Sequence, residues 1–246
     1  MAVTGRCIAV AFLGLAWGPD TTAAQSNSVL AAEQRCLDDM RENNYSSAVS
    51  DCTQALTLDP NNAQASALLC SADVHLGNLP NVVTDCTRTL TLEPKNDNVA
   101  HLLCIAQNAL GDSAAAVTSC TQAITINPNA VGAYLDRCVA YINLKNYTGA
   151  ASDCTQASNL NPKDFKPHIN LGDIYLHQRN FAGAITELNQ ALTLAPNSAT
   201  GLLNRGIAYE ALGHKAEAIA DYQNALKIDP SEQAAEVGLK RLGVKP

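Results

Sequence analysis

The sequence predicts an all-α protein, a solenoid of helix-turn-helix hairpins, and three observations carry that expectation. Pro60, Pro94, Pro128, Pro162, Pro196 and Pro230 recur every 34 residues with no insertion or deletion, a period that demands a repeat architecture. The composition is 47 % hydrophobic but only 4 % aromatic, so the interior must be filled by small side chains packed closely. Strings of β-branched residues alternating with polar ones, the signature of half-buried strands, are absent.

The first 24 residues differ from the rest. Arg6 precedes an uncharged, mostly apolar run from Cys7 to Trp17, and Thr22-Ala23-Ala24 supplies small residues. That is the layout of a secretory signal peptide, with cleavage expected after Ala24. The run falls well short of the roughly 20 residues that cross a bilayer as a helix. Cys7 lacks a preceding lipobox-like Leu-Ala-Gly, so it is read as part of the removed leader. Residues 25–28 form a short segment before the repeats, and no later stretch is apolar enough to insert into a membrane once the leader is gone.

Each proline sits in a shared phrase, from Leu58-Asp59-Pro60-Asn61 through Ile126-Asn127-Pro128-Asn129 to Ile228-Asp229-Pro230-Ser231. Proline lacks an amide donor and its ring clashes with the preceding turn, so a helix stops there. Upstream lie two apolar patterns at helical spacing, separated by a short polar turn such as Leu76-Gly77-Asn78 or Leu110-Gly111-Asp112. The units are therefore hairpins covering 29–62, 63–96, 97–130, 131–164, 165–198 and 199–232. A lone hairpin leaves its apolar face open, so neighbours stack and the last needs a cover. Residues 233–246, with Glu236, Lys240 and Arg241 on the polar side, are read as that capping helix.

The last unit resembles the tetratricopeptide repeat family in Leu202, Gly206, Tyr209, Ala218, Tyr222, Ala225 and Pro230, and the fifth in Leu171, Gly172, Tyr175, Ala184, Ala191 and Pro196. Arg205 stands where the family usually has leucine, a departure expected to weaken one packing contact only. Gly206 is expected to face Ala218 and let the two helix backbones approach. The family is one of interaction scaffolds, so the resemblance implies a non-enzymatic protein whose partner is another protein or peptide, with no cofactor.

Of the nine cysteines, eight follow the leader and form two series, Cys36, Cys70, Cys104, Cys138 and Cys52, Cys86, Cys120, Cys154. The first occupies the site of Gly172 and Gly206 and the second that of Leu188 and Tyr222, so a small-plus-large pair becomes two medium residues. In an antiparallel hairpin, residues equally far from the turn on facing sides are neighbours. That pairs Cys36 with Cys52, Cys70 with Cys86, Cys104 with Cys120 and Cys138 with Cys154, provided their Cα atoms lie within about 7 Å. Two readings stand: disulfides, favoured by the leader's oxidising destination, and reduced cysteines used as small hydrophobes, duplicated with the units. Zinc is disfavoured because no Cys-x-x-Cys occurs and no histidine recurs beside the cysteines. Thiol chemistry, the alternative function, would need an exposed thiol of lowered pKa where the pattern places the cysteines inside.

The resemblance also implies that the first helices line a concave face where ligand peptides lie. Residues at the corresponding positions include an apolar stripe, Leu135, Val139, Ile142, Ile169, Leu176, Leu203 and Ile207, interrupted by Asp173. Such a stripe suits an apolar peptide or an amphipathic helix, and equally suits packing within and between units. The lysines, asparagines and arginine with which some family members grip a chaperone carboxylate are missing. His75, His101 and His177, on or near this face, are too scattered for a metal site or a catalytic dyad and are read as solvated. Asp51, Asp85 and Asp153 recur at one place in the repeat and are read as a solvated helix face. Asn44-Tyr45-Ser46 and Asn146-Tyr147-Thr148 match glycosylation sequons but sit at turns, where asparagine serves conformationally. Ser158 and Asn159 interrupt the apolar seam of the fourth unit.

A net charge of −7 with no run of lysines or arginines excludes nucleic acid as the expected partner. The sequence therefore points to a periplasmic or secreted partner-binding scaffold, with self-association of solenoids a further possibility.

Overall fold

The computed structural model describes residues 19–245, so the leader up to residue 18, including Cys7, lies outside the described residues. Among the described residues there are helices and no strands. The chain folds as six consecutive hairpins: α1 (Pro19–Arg41) with α2 (Tyr45–Leu58), α3 (Ala63–Leu76) with α4 (Leu79–Leu92), α5 (Asp97–Ala109) with α6 (Ser113–Ile126), α7 (Val131–Asn143) with α8 (Tyr147–Leu160), α9 (Lys166–His177) with α10 (Phe181–Leu194), and α11 (Ala199–Ala211) with α12 (Lys215–Ile228). A short α13 (Gln233–Arg241) follows. The first helix starts ahead of the first unit and runs through residues 25–28 and the expected cleavage point after Ala24.

The 34-residue proline phrase acts as expected. Each proline stands one residue past the C-cap of an even-numbered helix, Asp59, Glu93, Asn127, Asn161, Ala195 and Asp229. Polar side chains then restart the chain as N-caps: Asn62 accepts from the Ala65 amide, Asn96 from Val99 and Ser198 from Gly201. Inside each hairpin the two helices are joined through one left-handed residue, Asn43, Gly77, Gly111, Lys145, Arg179 or Gly213. Glycine is the residue that adopts this conformation without Cβ strain; Lys145 and Arg179 do so at φ 57° and 60°.

Each helix packs on its neighbours in sequence, and the backbone of each odd-numbered helix also comes close to that of the next odd-numbered one, whereas among the described residues the even-numbered helices do not approach one another in this way. The odd helices therefore form a continuous inner layer and the even helices an outer one. The interior is a series of small clusters, one handing on to the next, built largely of alanine and cysteine with a few leucines. Short side chains let the helix backbones close in, which is how a chain so poor in aromatics reaches a packed interior.

The cap is anchored from the last hairpin. Tyr222, fully buried, donates its hydroxyl to Glu210 at 2.7 Å, and Glu210 in turn pairs with Arg241 of α13. Gly238 makes room for the ring: a Cβ there would lie 2.5 Å from Tyr222 Cε2. Hydrogen bonding from Arg241 holds Glu210 below the ordinary carboxylate range, and burial followed by the bond to Glu210 raises the Tyr222 phenol.

Candidate functional site

The two cysteine series meet across the hairpins. Cα–Cα distances are 5.2 Å for Cys36–Cys52, 5.1 Å for Cys70–Cys86, 5.3 Å for Cys104–Cys120 and 5.7 Å for Cys138–Cys154, and the structure closes all four as disulfides. All eight side chains are fully buried. The fifth hairpin shows what they replace: a Cβ on Gly172 would lie 2.6 Å from Leu188 Cγ. In the sixth, Gly206 makes room chiefly for Tyr222, 2.8 Å from that Cβ position, and meets Ala218 only through its carbonyl oxygen at 3.4 Å. The expected Gly206–Ala218 contact is thus secondary to a glycine–tyrosine one. Exchange chemistry needs a sulfur that an incoming thiolate can reach, and these are sealed between helices.

In the first, fourth and sixth hairpins the residues just before the two cysteines, or before the glycine and tyrosine that replace them, carry a second cross-hairpin relationship that the sequence reading missed. Arg137 donates to Asp153 through Nε at 2.7 Å and Nη2 at 2.8 Å, while Nη1 reaches Thr121 Oγ1 on the preceding hairpin at 2.9 Å. Arg205 repeats the arrangement with Asp221, Nη1 here bonding Asn189 Oδ1 at 2.8 Å. Arg35 bonds Asp51 at 3.0 Å in the first hairpin. The aspartates are thus not a solvated face: Asp153 and Asp221 are buried, and Asp51 and Asp85 are partly buried. Arg205 is likewise no mere loss of leucine packing. The signal was present, since Arg35-Cys36 and Asp51-Cys52 share the 16-residue offset that pairs the cysteines.

On the inner layer the apolar stripe divides. Leu203 is only 9 % exposed and belongs to the core of the last hairpin, so it is not available to a ligand. Leu135 and Ile142 pack against the cluster holding Cys138, Cys154, Leu171 and Ile174, Leu176 against Ala184, Leu188 and Ala208, and Ile207 against the terminal cluster. Ile169 is partly buried. Val139, at 36 % exposure, is the member most open to solvent, and Ile105 one repeat earlier is 40 % exposed. Asp173, the next residue of that series, is half-buried; burial raises its carboxyl pKa, partly offset by His177 with Nε2 3.8 Å away.

Of the three histidines on or near this face, His75 and His177 are exposed, as expected, whereas His101 is held by a partner on the next hairpin. His101 Nε2 lies 2.6 Å from Asp136 Oδ2, tying α5 to α7, and Asn108 donates to the Asp136 carbonyl at 2.9 Å beside it. Gly132 admits the His101 ring, because a Cβ would lie 2.5 Å from its Cε1. His75 stacks on Tyr45 at 4.2 Å and His177 on Tyr147 at 5.3 Å. At the polar interruption of the fourth unit, Ser158 bonds His168 Nε2 at 3.1 Å, and His168 Nδ1 bonds Glu187 at 2.8 Å. A polar bridge thus takes the place of the missing apolar contact. Asn146 accepts from the Gly149 amide at 3.1 Å, capping α8, the conformational role expected of it. Among the described residues no group of three or more His, Cys, Asp or Glu could hold a metal, and no helix is long and apolar enough to cross a membrane.

A tetratricopeptide repeat family profile matches residues 171–242. No curated protein sequence matches the chain. Among solved structures, pilF of Pseudomonas aeruginosa is similar with TM-score 0.69 at 14 % identity, over 89 % of this chain and 99 % of that one. A tetratricopeptide repeat protein of Parabacteroides merdae matches with TM-score 0.69 at 20 % identity, over 88 % of this chain and 93 % of the other. YrrB, described as a TPR protein with an unusual peptide-binding site, matches with TM-score 0.64 at 14 % identity, over 77 % of this chain and 97 % of its own. At these identities the likeness is one of fold.

Proposed function

From the premise that this chain is a tetratricopeptide repeat protein, we propose that it is a non-enzymatic scaffold, exported to the periplasm or beyond the cell, that receives a peptide or helix of a partner protein on its odd-helix face. The observation that carries the reading is the pair Ile105 and Val139, large apolar side chains 40 % and 36 % exposed at successive positions of the inner layer. Neighbouring side chains on α5 and α7 are held in place by the His101–Asp136 and Asn108–Asp136 latches, so the surface is presented rigidly. YrrB's description as peptide-binding is consistent with such a use of the fold. Four sealed disulfides support export, since such bonds persist in oxidising compartments.

Crosslinked capture from the native compartment tests the groove. Ile105→Glu with Val139→Glu is expected to reduce partner recovery by at least about tenfold while leaving the helical spectrum intact. Equal recovery by both proteins overturns the reading. Leu135, Ile142 and Ile169 are unsuitable for this test, being partly buried. Compartment fractionation with a count of free thiols tests export: the scaffold reading expects none in the mature protein.

A further inference from the structure

The cross-hairpin acid has a basic partner in every hairpin that carries it, except one. Asp51, Asp153 and Asp221 are met by Arg35, Arg137 and Arg205, and Glu187 by His168. The third hairpin has no acid there; Ser119 donates to Gln107 instead, at 2.7 Å. In the second, Asp85 is present and the arginine position is Leu69.

The space is open. A cleft of about 390 Å³ between the first and second hairpins is lined by Thr53, Leu69, Asp73 and Asp85, among others. Shifted by two repeats, Thr53, Leu69 and Asp85 are Thr121, Arg137 and Asp153, the very residues that make and hold the guanidinium of the fourth hairpin. Asp73 lines the same cleft while only 1 % exposed; its Oδ1 accepts from Asn78 at 3.2 Å, and its Oδ2 has no hydrogen-bond partner. Beyond Asn78, only the protonated Asp85 carboxyl donates to Asp73 within the chain, so once Asp85 ionises that buried oxygen is left without a donor, which is costly unless something outside the chain supplies one. Burial, then the hydrogen bond and charge of Asp73, push the Asp85 carboxyl up to about 6. Arg88, exposed on the rim one turn further along α4, draws it back but forms no ion pair with either acid within 4.0 Å.

We propose that this cleft is a receptor for the guanidinium of an arginine carried by a partner protein, filling the place that Arg137 and Arg205 fill in their own hairpins. Guanidinium is favoured over ammonium because the sibling sites use its fork, two donors to the carboxylate and a third across to the neighbouring hairpin. The cleft lies largely between α2 and α4, the outer layer, so it is separate from the odd-helix face. The inference rests on the scaffold reading for its partner, but a small guanidinium probe binds or fails to bind whether or not a partner exists, so the two can fail separately.

The test is NMR titration of the full mature chain with N-methylguanidinium chloride, against methylammonium chloride at equal ionic strength. A saturable shift of the Asp85 and Asp73 carboxyl carbons is expected with the first salt and at least about tenfold weaker binding with the second. In Asp85→Asn, read on the Thr53 and Leu69 amides, affinity is expected to fall by at least about tenfold. Leu69→Arg supplies the group within the chain and is expected to abolish probe binding and return Asp85 to ordinary carboxylate titration. An undiminished response in Asp85→Asn, or in folded Leu69→Arg, overturns the assignment. A blocked peptide with a central arginine is expected to bind more tightly than the probe, and its citrulline counterpart not at all; a peptide no tighter than the probe, or an equal citrulline response, removes the partner side chain as the source.

Discussion

Arg205 and Asp221, 16 residues apart on facing helices, hold each other through two parallel hydrogen bonds of 2.8 Å, with side-chain exposures of 22 % and 6 %. Bonding to Asp221 raises the already high pKa of the guanidinium, so Arg205 stays charged across the ordinary pH range. Removing one partner leaves the other charge desolvated without compensation. Arg205→Ala is expected to lower unfolding free energy by about 2 kcal/mol, read from urea denaturation, and Asp221→Asn by a similar amount. In a double-mutant cycle the losses should be strongly non-additive; simple additivity would show that the two do not act as a pair.

The disulfide ladder gives a second expectation. Each bridge closes a 16-residue separation, and replacing Cys104 and Cys120 together by alanine is expected to destabilise the chain by about 2–4 kcal/mol in oxidising buffer. Cys104→Gly combined with Cys120→Leu copies the Gly172–Leu188 pair and should recover much of that loss while making the third hairpin indifferent to reductant. If the glycine–leucine chain is no more stable than the double alanine, the two pairs do not occupy equivalent space.

Asp85 makes stability depend on pH in a definite direction. Its carboxyl rises from about 3.8 in the unfolded chain to about 6 when folded, so between those values the folded state binds more protons. Its contribution is therefore fully present below about pH 4 and is lost as pH rises through about 6. Asp73 faces it from α3 and Arg88 from its own helix, the first strengthening and the second weakening the effect. Asp85→Asn is expected to remove this component, flattening the stability profile across that window in denaturation series at fixed salt. An unchanged slope would assign the dependence to other groups.

The left-handed turn residues separate backbone strain from packing. Lys145→Gly and Arg179→Gly are expected to leave stability unchanged or raise it by up to about 1 kcal/mol, because the strain relieved outweighs the freedom gained by the unfolded chain. Gly111→Val is expected to cost at least about 1 kcal/mol although nothing lies within 4 Å of its Cβ position, since only the φ of +83° opposes it. Thermal unfolding of the three variants checks both signs.

By itself the sequence determined the hairpin period, the helix stops at the prolines, and the two cysteine series placed to face one another. These are local matters: a proline ends a helix whatever surrounds it, and a 34-residue period repeats one backbone solution. The same reasoning could have paired Arg35 with Asp51, one residue ahead of Cys36 and Cys52, had charge been read with the offset used for sulfur. What only the tertiary structure decided is which polar and apolar groups meet once the hairpins stack. His101 finds Asp136, 35 residues on, and Leu203 turns inward while Val139 stays open, although both lie on the same layer. The cleft beside Asp85 takes its far wall, Thr53, from the first hairpin. Such outcomes depend on distances between elements, which the volumes of all the packed side chains set together and no single segment encodes.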